Sequence, residues 1–230
     1  MKSWILGITG GVGCGKSTVL EMLEKDYGAY AIQADIVAHE LMQPGQTSYK
    51  AIVEHFGQVI LDTDGYIDRK ALGAIVFADE EKLALLNSLT HPAVKEEIRK
   101  RIHRELYAAV DQELIQQASL LGLFDEKQHF ISEKIVFIVI EAALLLEDHY
   151  DEICDEIWYV YAEKEVRFER LAASRGYSRE KSQSMMDNQM SEEELRRRCQ
   201  AVIDNSGTLE DTKNDLDALL KARSPLSMVF

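Results

Sequence analysis

The sequence predicts an α/β fold, a five-stranded parallel sheet wrapped by helices, from two observations. First, the apolar residues 4–9 lead through a glycine-rich stretch into a segment with apolar residues at helical spacing, so the order is strand, loop, helix. Second, residues 135–141 form an unbroken β-branched and aromatic run that ends on Glu141. Such a run is typical of a parallel strand covered on both faces.

Residues 10–18 read GGVGCGKST, which fits the phosphate-loop pattern G-x-x-x-x-G-K-[ST]. Glycines let backbone N–H groups approach phosphate oxygens, and the following helix adds its partly positive N-terminus. Lys16 would supply a cation for the β- and γ-phosphates, and the Ser17 hydroxyl is placed to bind the Mg²⁺ of a nucleoside triphosphate. The alternative, a glycine-rich turn without a ligand, is disfavoured by Lys16 and Ser17 in register. The residues predicted to hold the nucleotide phosphates are Gly11, Val12, Gly13, Cys14, Gly15, Lys16, Ser17 and Thr18.

Three more strands are predicted, at residues 29–35, 157–161 and 201–203. Because ligand groups gather at the carboxyl ends of parallel strands, we expect Asp35 and Glu141 to converge with the phosphate loop. Asp35 is a candidate general base for an alcohol that attacks the γ-phosphorus, with helix capping as the alternative. Glu141 is a candidate Mg²⁺ ligand through water, with a capping or surface acid as the alternative.

The segment 164–198 carries several arginines and is predicted to form a mobile lid. An arginine on such a segment can stabilise the charge of a transferring phosphoryl group. Arg175, beside Gly176 and Tyr177, is the candidate for this role. For the others, a solvent-exposed helix face is the favoured interpretation: they are Arg167, Arg170 and Arg179.

Residues 62–130 are almost entirely helical in pattern and are predicted to form an inserted subdomain. Residues 1–61 and 131–230 then form the core. Because proline is tolerated in the first turn of a helix, Pro92 predicts that a new helix begins at residues 90–92.

The composition limits the classes of partner and location. A formal net charge of −14 argues against general nucleic-acid binding, and no apolar run approaches the length of a membrane span. The three cysteines form no C-x-x-C pair, which favours a reducing cytoplasm. Cys14 is either a small loop residue or, with a pKa lowered by the helix N-terminus, an oxidisable thiol. The oligomeric state stays open.

Together these residues resemble the dephospho-CoA kinases, which transfer a phosphate from ATP to the 3′-hydroxyl of dephospho-CoA in the last step of coenzyme A synthesis. The likeness covers nearly the whole chain, and it departs from the family pattern at Gln33, where an acid is usual. It also departs at residues 143–147, which keep the glutamate of Pro-Leu-Leu-x-Glu and lose its proline. The segments that carry the likeness are residues 7–18, Ala34-Asp35, Phe56-Gly57, Asp64-Gly65 with Arg69 and Leu72, Leu86-Asn87 with His91-Pro92, and residues 202–207.

The resemblance implies a P-loop kinase fold with an inserted substrate domain and a lid, an ATP·Mg²⁺ site on the loop, and dephospho-CoA as the acceptor. It implies Asp35, Lys16 and Arg175 as catalytic residues and an adenine edge near Asn205. The residues that it implies for substrate binding are Thr9, Asp35, His91 and Pro92. The rivals are another small-molecule kinase on the same scaffold and a nucleotide-dependent switch protein, although the chain lacks the Asn-Lys-x-Asp motif of a GTPase.

Overall fold

The strands are β1 (Lys2–Thr9), β2 (Tyr30–Gln33), β3 (Ile135–Glu141), β4 (Glu156–Tyr161) and β5 (Ala201–Asp204), and they form a five-stranded sheet in the order β2-β3-β1-β4-β5. The computed structural model describes residues 2–120, 135–223 and 225. Strand β1 is parallel to β3 on one side and to β4 on the other, and β5 is parallel to β4. The predicted fold class is therefore confirmed.

Helices connect the strands. The stretch 164–198, predicted as a lid, contains three of them. Short 3₁₀ turns occur at Gln58–Ile60 and Tyr150–Glu152. The α-helices are α1 (Lys16–Tyr27), α2 (Ala34–Leu41), α3 (Thr47–Phe56), α4 (Arg69–Val76), α5 (Glu80–Leu120), α6 (Lys164–Arg175), α7 (Arg179–Asp187), α8 (Glu192–Arg198) and α9 (Leu209–Arg223).

The chain divides into two compact units. One is Met1–Ile32 with Arg104–Phe230, and the other is Gln33–His103. The insert predicted from the sequence, 62–130, has different bounds, and its residues 121–130 lie outside the described part of the chain. The second unit starts earlier because α2 and α3 belong to it, with Ile52 of α3 in the same apolar cluster as Leu72 and Val76 of α4.

The core of the first unit is built on aromatic side chains of the sheet. Trp4 of β1 stacks on Phe137 of β3 with ring centroids 4.9 Å apart, and it meets Trp158 of β4 edge-on at 5.7 Å. Helices α1 and α9 add apolar side chains to the same cluster, including Leu23 and Leu216. This burial of apolar surface holds the sheet rigid behind the loop that follows β1.

Helix α5 passes through Pro92 without a break, so the predicted restart at residues 90–92 is wrong. A proline inside a helix removes one backbone hydrogen bond and costs about 3 kcal/mol. Two nearby hydroxyls add local hydrogen bonds, since Ser88 Oγ donates to the Leu85 carbonyl and Thr90 Oγ1 donates to the Leu86 carbonyl. The apolar stripe of the helix also continues past the proline, with Val94 and Ile98 buried.

None of the helices in the described part of the chain is both long enough and apolar enough to cross a membrane.

Two leucines of the first unit allow a matched test of its core. Leu6 in β1 is fully buried, whereas Leu209 at the start of α9 is 63% exposed. We expect Leu6→Ala to lower the free energy of unfolding by about 2–5 kcal/mol, because it leaves a cavity in the sheet. Leu209→Ala should change it by less than about 0.5 kcal/mol. Urea unfolding followed by the fluorescence of the two buried tryptophans measures both, and equal losses would contradict this account of the core.

Candidate active site

The loop between β1 and α1 is the centre of the candidate site. Gly13 and Gly15 have φ angles of 78° and 87°, a left-handed conformation that glycine adopts without strain. Gly15 is also the N-cap of α1, and no side chain caps that helix. Within the described residues, the N–H groups of Gly13 and Gly15 donate no hydrogen bond. The loop therefore presents backbone donors at a helix N-terminus, which is an anion-binding arrangement.

The Lys16 side chain extends back along this loop. Its Nζ donates to the Gly10 carbonyl at 2.8 Å and lies 3.9 Å from Oε1 of Glu141, the last residue of β3. Glu141 is only 8% exposed, so the pair lies in a water-poor setting where charge interactions are stronger than at the surface. The structure thus brings together the phosphate loop and one of the two carboxylates that were expected to converge on it.

Ser17 and Glu141 offer ligands suited to a magnesium ion. The Ser17 side chain is exposed in the first turn of α1, and Glu141 supplies a carboxylate at the end of the neighbouring strand. Hydroxyl and carboxylate oxygens are hard ligands of the kind that Mg²⁺ takes together with water and phosphate oxygens. These residues fit the ion that the sequence predicts.

Side chains from residues 164–198, the segment predicted as a lid, contact the loop. Arg167 Nε donates to the Val12 carbonyl at 2.9 Å, and the Val12 N–H donates to Oε1 of Gln189 at 2.8 Å. Arg170 donates to the Asn205 carbonyl at 2.8 Å and, more weakly, to the Cys14 carbonyl at 3.4 Å. The interpretation of Arg167 and Arg170 as solvent-exposed helix residues is therefore wrong.

Asn205, directly after β5, reaches the same loop. Its Nδ2 donates to the Cys14 carbonyl at 2.8 Å, and its Oδ1 accepts from the Thr212 hydroxyl at 2.8 Å. The residue is 2% exposed, and a Cβ on Gly15 would lie 2.1 Å from its Nδ2. Asn205 therefore supports the loop backbone, while its predicted position at the adenine edge stays a prediction.

A recess opens beside the start of the loop, within the same unit. Its walls include Thr9, Leu144, Glu147, Met190 and Leu195. Thr9, predicted to bind substrate, thus lies in the wall of a cavity that the phosphate loop also borders.

Comparison with known proteins identifies the family. A sequence model of dephospho-CoA kinase matches residues 4–129 and 120–211. This chain belongs to the dephospho-CoA kinase family. The dephospho-CoA kinase of Carboxydothermus hydrogenoformans is 37% identical over 94% of this chain and 93% of its own length. That of Geobacter sulfurreducens is 36% identical over 96% and 99%.

Solved structures share the fold of this family member. The crystal structure of TT1252 from Thermus thermophilus has a TM-score of 0.73 at 27% identity and covers 97% of this chain and 99% of its own. A dephospho-CoA kinase from Campylobacter jejuni has a TM-score of 0.61 at 24% identity, covering 97% and 98%. The resemblance and the kinase activity inferred from the sequence are therefore confirmed.

Asp35, the proposed base of this kinase, lies in the first turn of α2 and is exposed. The predicted strand 29–35 begins one residue too early and ends two residues too late, because β2 runs from Tyr30 to Gln33 and α2 begins at Ala34. A carboxylate in the first turn of a helix is stabilised by the helix dipole, which favours the helical conformation here. Asp35 belongs to the Gln33–His103 unit, and its catalytic role stays a prediction.

The remaining predicted residues lie on helices. Arg175 is the last residue of α6, is exposed, and has its guanidinium carbon 5.9 Å from the centre of the Tyr177 ring. Gly176 ends that helix with a φ of 63°. His91 and Pro92 lie within α5. Their roles stay predictions.

Sequence reasoning missed three residues that contact the loop, namely Arg167, Arg170 and Gln189. A signal existed for the two arginines, because their spacing of three places them on one face of α6. Nothing in the sequence near Gln189, which follows the end of α7, pointed to the loop.

The structure decides between the two interpretations of Cys14. Its side chain is 1% exposed, and burial raises the pKa of the thiol above its ordinary value although Lys16 and Arg167 act to lower it. Burial also raises the pKa values of Cys154 and Cys199, each to about 12. Cys14 is thus a neutral, closely packed residue of the loop.

We expect all three cysteines to react slowly with a thiol reagent at pH 8, because the thiolate is the reactive form and burial raises the pKa of each thiol. Labelling of the native protein measures the rates, with the urea-unfolded chain as the control that should react at once. A native cysteine that reacts as fast as the unfolded control would contradict these pKa directions.

Proposed function

We propose that this kinase transfers the γ-phosphoryl group of ATP to the 3′-hydroxyl of dephospho-CoA, giving coenzyme A. The observation that carries the proposal is the phosphate loop, where the Gly13 and Gly15 N–H groups without a partner in the described residues, the N-terminus of α1 and the Lys16 ammonium belong to one short segment. Similarity to dephospho-CoA kinases along nearly the whole chain supports the choice of acceptor.

In this proposal, the loop binds the triphosphate through residues 11–18. The Gly13 and Gly15 amides donate to phosphate oxygens, and Lys16 moves its ammonium from the Gly10 carbonyl toward the β- and γ-phosphates. Because these donors are already oriented and partly buried, little reorganisation is needed when negative charge shifts during the reaction. Arg170, held beside the Cys14 carbonyl, adds positive charge at the loop. Arg175 is proposed to approach the phosphates as the lid closes.

Ser17 and Glu141 would hold Mg²⁺, with Ser17 as a direct ligand and Glu141 acting through water. When bound, the ion would neutralise phosphate charge and orient the γ-phosphoryl group. Glu141 also holds Lys16 by its negative charge, so the two residues are proposed to act as a pair.

The residues proposed to bind the acceptor are the four predicted from the sequence, Thr9, Asp35, His91 and Pro92. Asp35 would accept the proton of the 3′-hydroxyl as that oxygen attacks the γ-phosphorus in line with the leaving ADP. Its exposed position leaves the carboxylate free to meet a ligand. The cytoplasmic location expected from the sequence also stays a prediction.

The direct test mixes the full chain with ATP, Mg²⁺ and dephospho-CoA and follows coenzyme A by mass spectrometry. We expect coenzyme A and ADP to form in equal amounts, with none formed from an analogue that lacks the 3′-hydroxyl. Shikimate is supplied in a parallel reaction as an alternative acceptor, and its phosphorylation would favour the rival small-molecule kinase. Nucleotide hydrolysis at the same rate with and without dephospho-CoA would favour the switch protein and contradict the proposal.

Asp35→Asn should lower turnover at least about 100-fold, because the amide cannot accept the proton of the attacking hydroxyl. The KM for ATP should change little, since the loop residues are untouched. Steady-state kinetics with both substrates separate the two effects. A loss of less than about tenfold would assign Asp35 to stabilising the start of α2 and not to proton transfer.

A further inference from the structure

Val12 is held on both sides by side chains from outside the phosphate loop. Its carbonyl accepts from Arg167 of α6 at 2.9 Å, and its N–H donates to Gln189 at 2.8 Å. The two side chains come from different parts of the lid segment, since Gln189 lies between α7 and α8. Both polar groups of one loop residue are thus bound by partners that are more than 150 positions away in sequence.

This arrangement determines the direction of the next backbone N–H group, that of Gly13. A trans peptide places its C=O and N–H on opposite sides, and the described backbone contains no cis peptide. Because the Val12 carbonyl points to Arg167, the Gly13 N–H points away from Arg167. That N–H donates no hydrogen bond within the described residues, so it is available to a ligand.

The packing around Gly11 shows how closely the two side chains approach the loop. A Cβ on Gly11 would lie 2.4 Å from Nη2 of Arg167 and 3.2 Å from Oε1 of Gln189. The Arg167 guanidinium therefore lies close to the Gly11–Val12 backbone, and a side chain at residue 11 would displace it from this position.

We propose that Arg167 and Gln189 are positioning residues for nucleotide binding. They clamp Val12 and so keep the Gly13 N–H directed toward the phosphates before the nucleotide arrives. Neither side chain touches the nucleotide in this role. The inference rests on the proposed function only in requiring that the loop binds a nucleoside phosphate, and it holds for any acceptor.

The test measures the dissociation constants of Mg²⁺·ADP and Mg²⁺·ATP by calorimetry for Arg167→Met, Gln189→Met and the double variant of the full chain. We expect each single variant to bind both nucleotides about 3–10-fold more weakly, the range for loss of one net hydrogen bond. The double variant should lose little more than the worse single variant, because either change releases the same residue. Additive losses would contradict action through Val12.

Two matched controls lie on the same segment. Gln183 donates to Asp187, and Arg179 pairs with Glu165 on the surface, so Gln183→Met and Arg179→Met should bind nucleotide as the wild type does. Arg167→Lys keeps the charge but moves the donor, and it should not restore wild-type affinity. Full restoration would mean that charge alone acts, which overturns the proposal.

The melting temperatures of the variants show whether a loss of affinity comes from a folding defect. We expect them to stay within about 4 °C of the wild-type value, a shift that corresponds to about 1 kcal/mol. Wild-type affinity in both single variants would overturn the clamp and leave the proposed function standing. A loss confined to ATP would mean direct contact with the γ-phosphate and would also overturn it. A wild-type protein that binds neither nucleotide would overturn the proposed function and the clamp together.

Discussion

The site depends on hydrogen bonds that hold carbonyl groups of the phosphate loop from outside it. The Val12 carbonyl is bound by Arg167 and the Cys14 carbonyl by Asn205. Because each peptide is planar and trans, these two bonds direct the Gly13 and Gly15 amides to the opposite side. A loop of glycines has many conformations of similar energy, so external partners are needed to select the one that binds phosphate.

The order of the strands brings those partners to the loop. Strand β1 lies between β3 and β4, so the loop that follows it is flanked by Glu141 at the end of β3 and by α6 after β4. Strand β5 borders β4 and delivers Asn205. Buried aromatic contacts between β1, β3 and β4 stabilise the same sheet. The sheet that stabilises the first unit therefore also positions the residues around the loop.

The sheet and the loop could be predicted because their signals are local. The strand Ile135–Glu141 matches the predicted run, since an unbroken β-branched segment has few alternatives. The start of α2 and the continuity of α5 through Pro92 could not be predicted from the sequence. Each depends on a balance between local conformational preference and packing in the second unit. The spacing of Arg167 and Arg170 shows that they share one face of α6, but it does not show what that face contacts. The contact of Gln189 with the loop depends on segments that lie far apart in sequence, and no local pattern predicts it.

A crystal structure of the protein with Mg²⁺·ADP tests the central claim most directly. We expect phosphate oxygens about 3 Å from the Gly13 and Gly15 nitrogens, with the Val12 and Cys14 carbonyls still bound to Arg167 and Asn205. The loop backbone should keep the conformation that it has without nucleotide. A nucleotide bound elsewhere, or a loop whose carbonyls have turned away from Arg167 and Asn205, would contradict it.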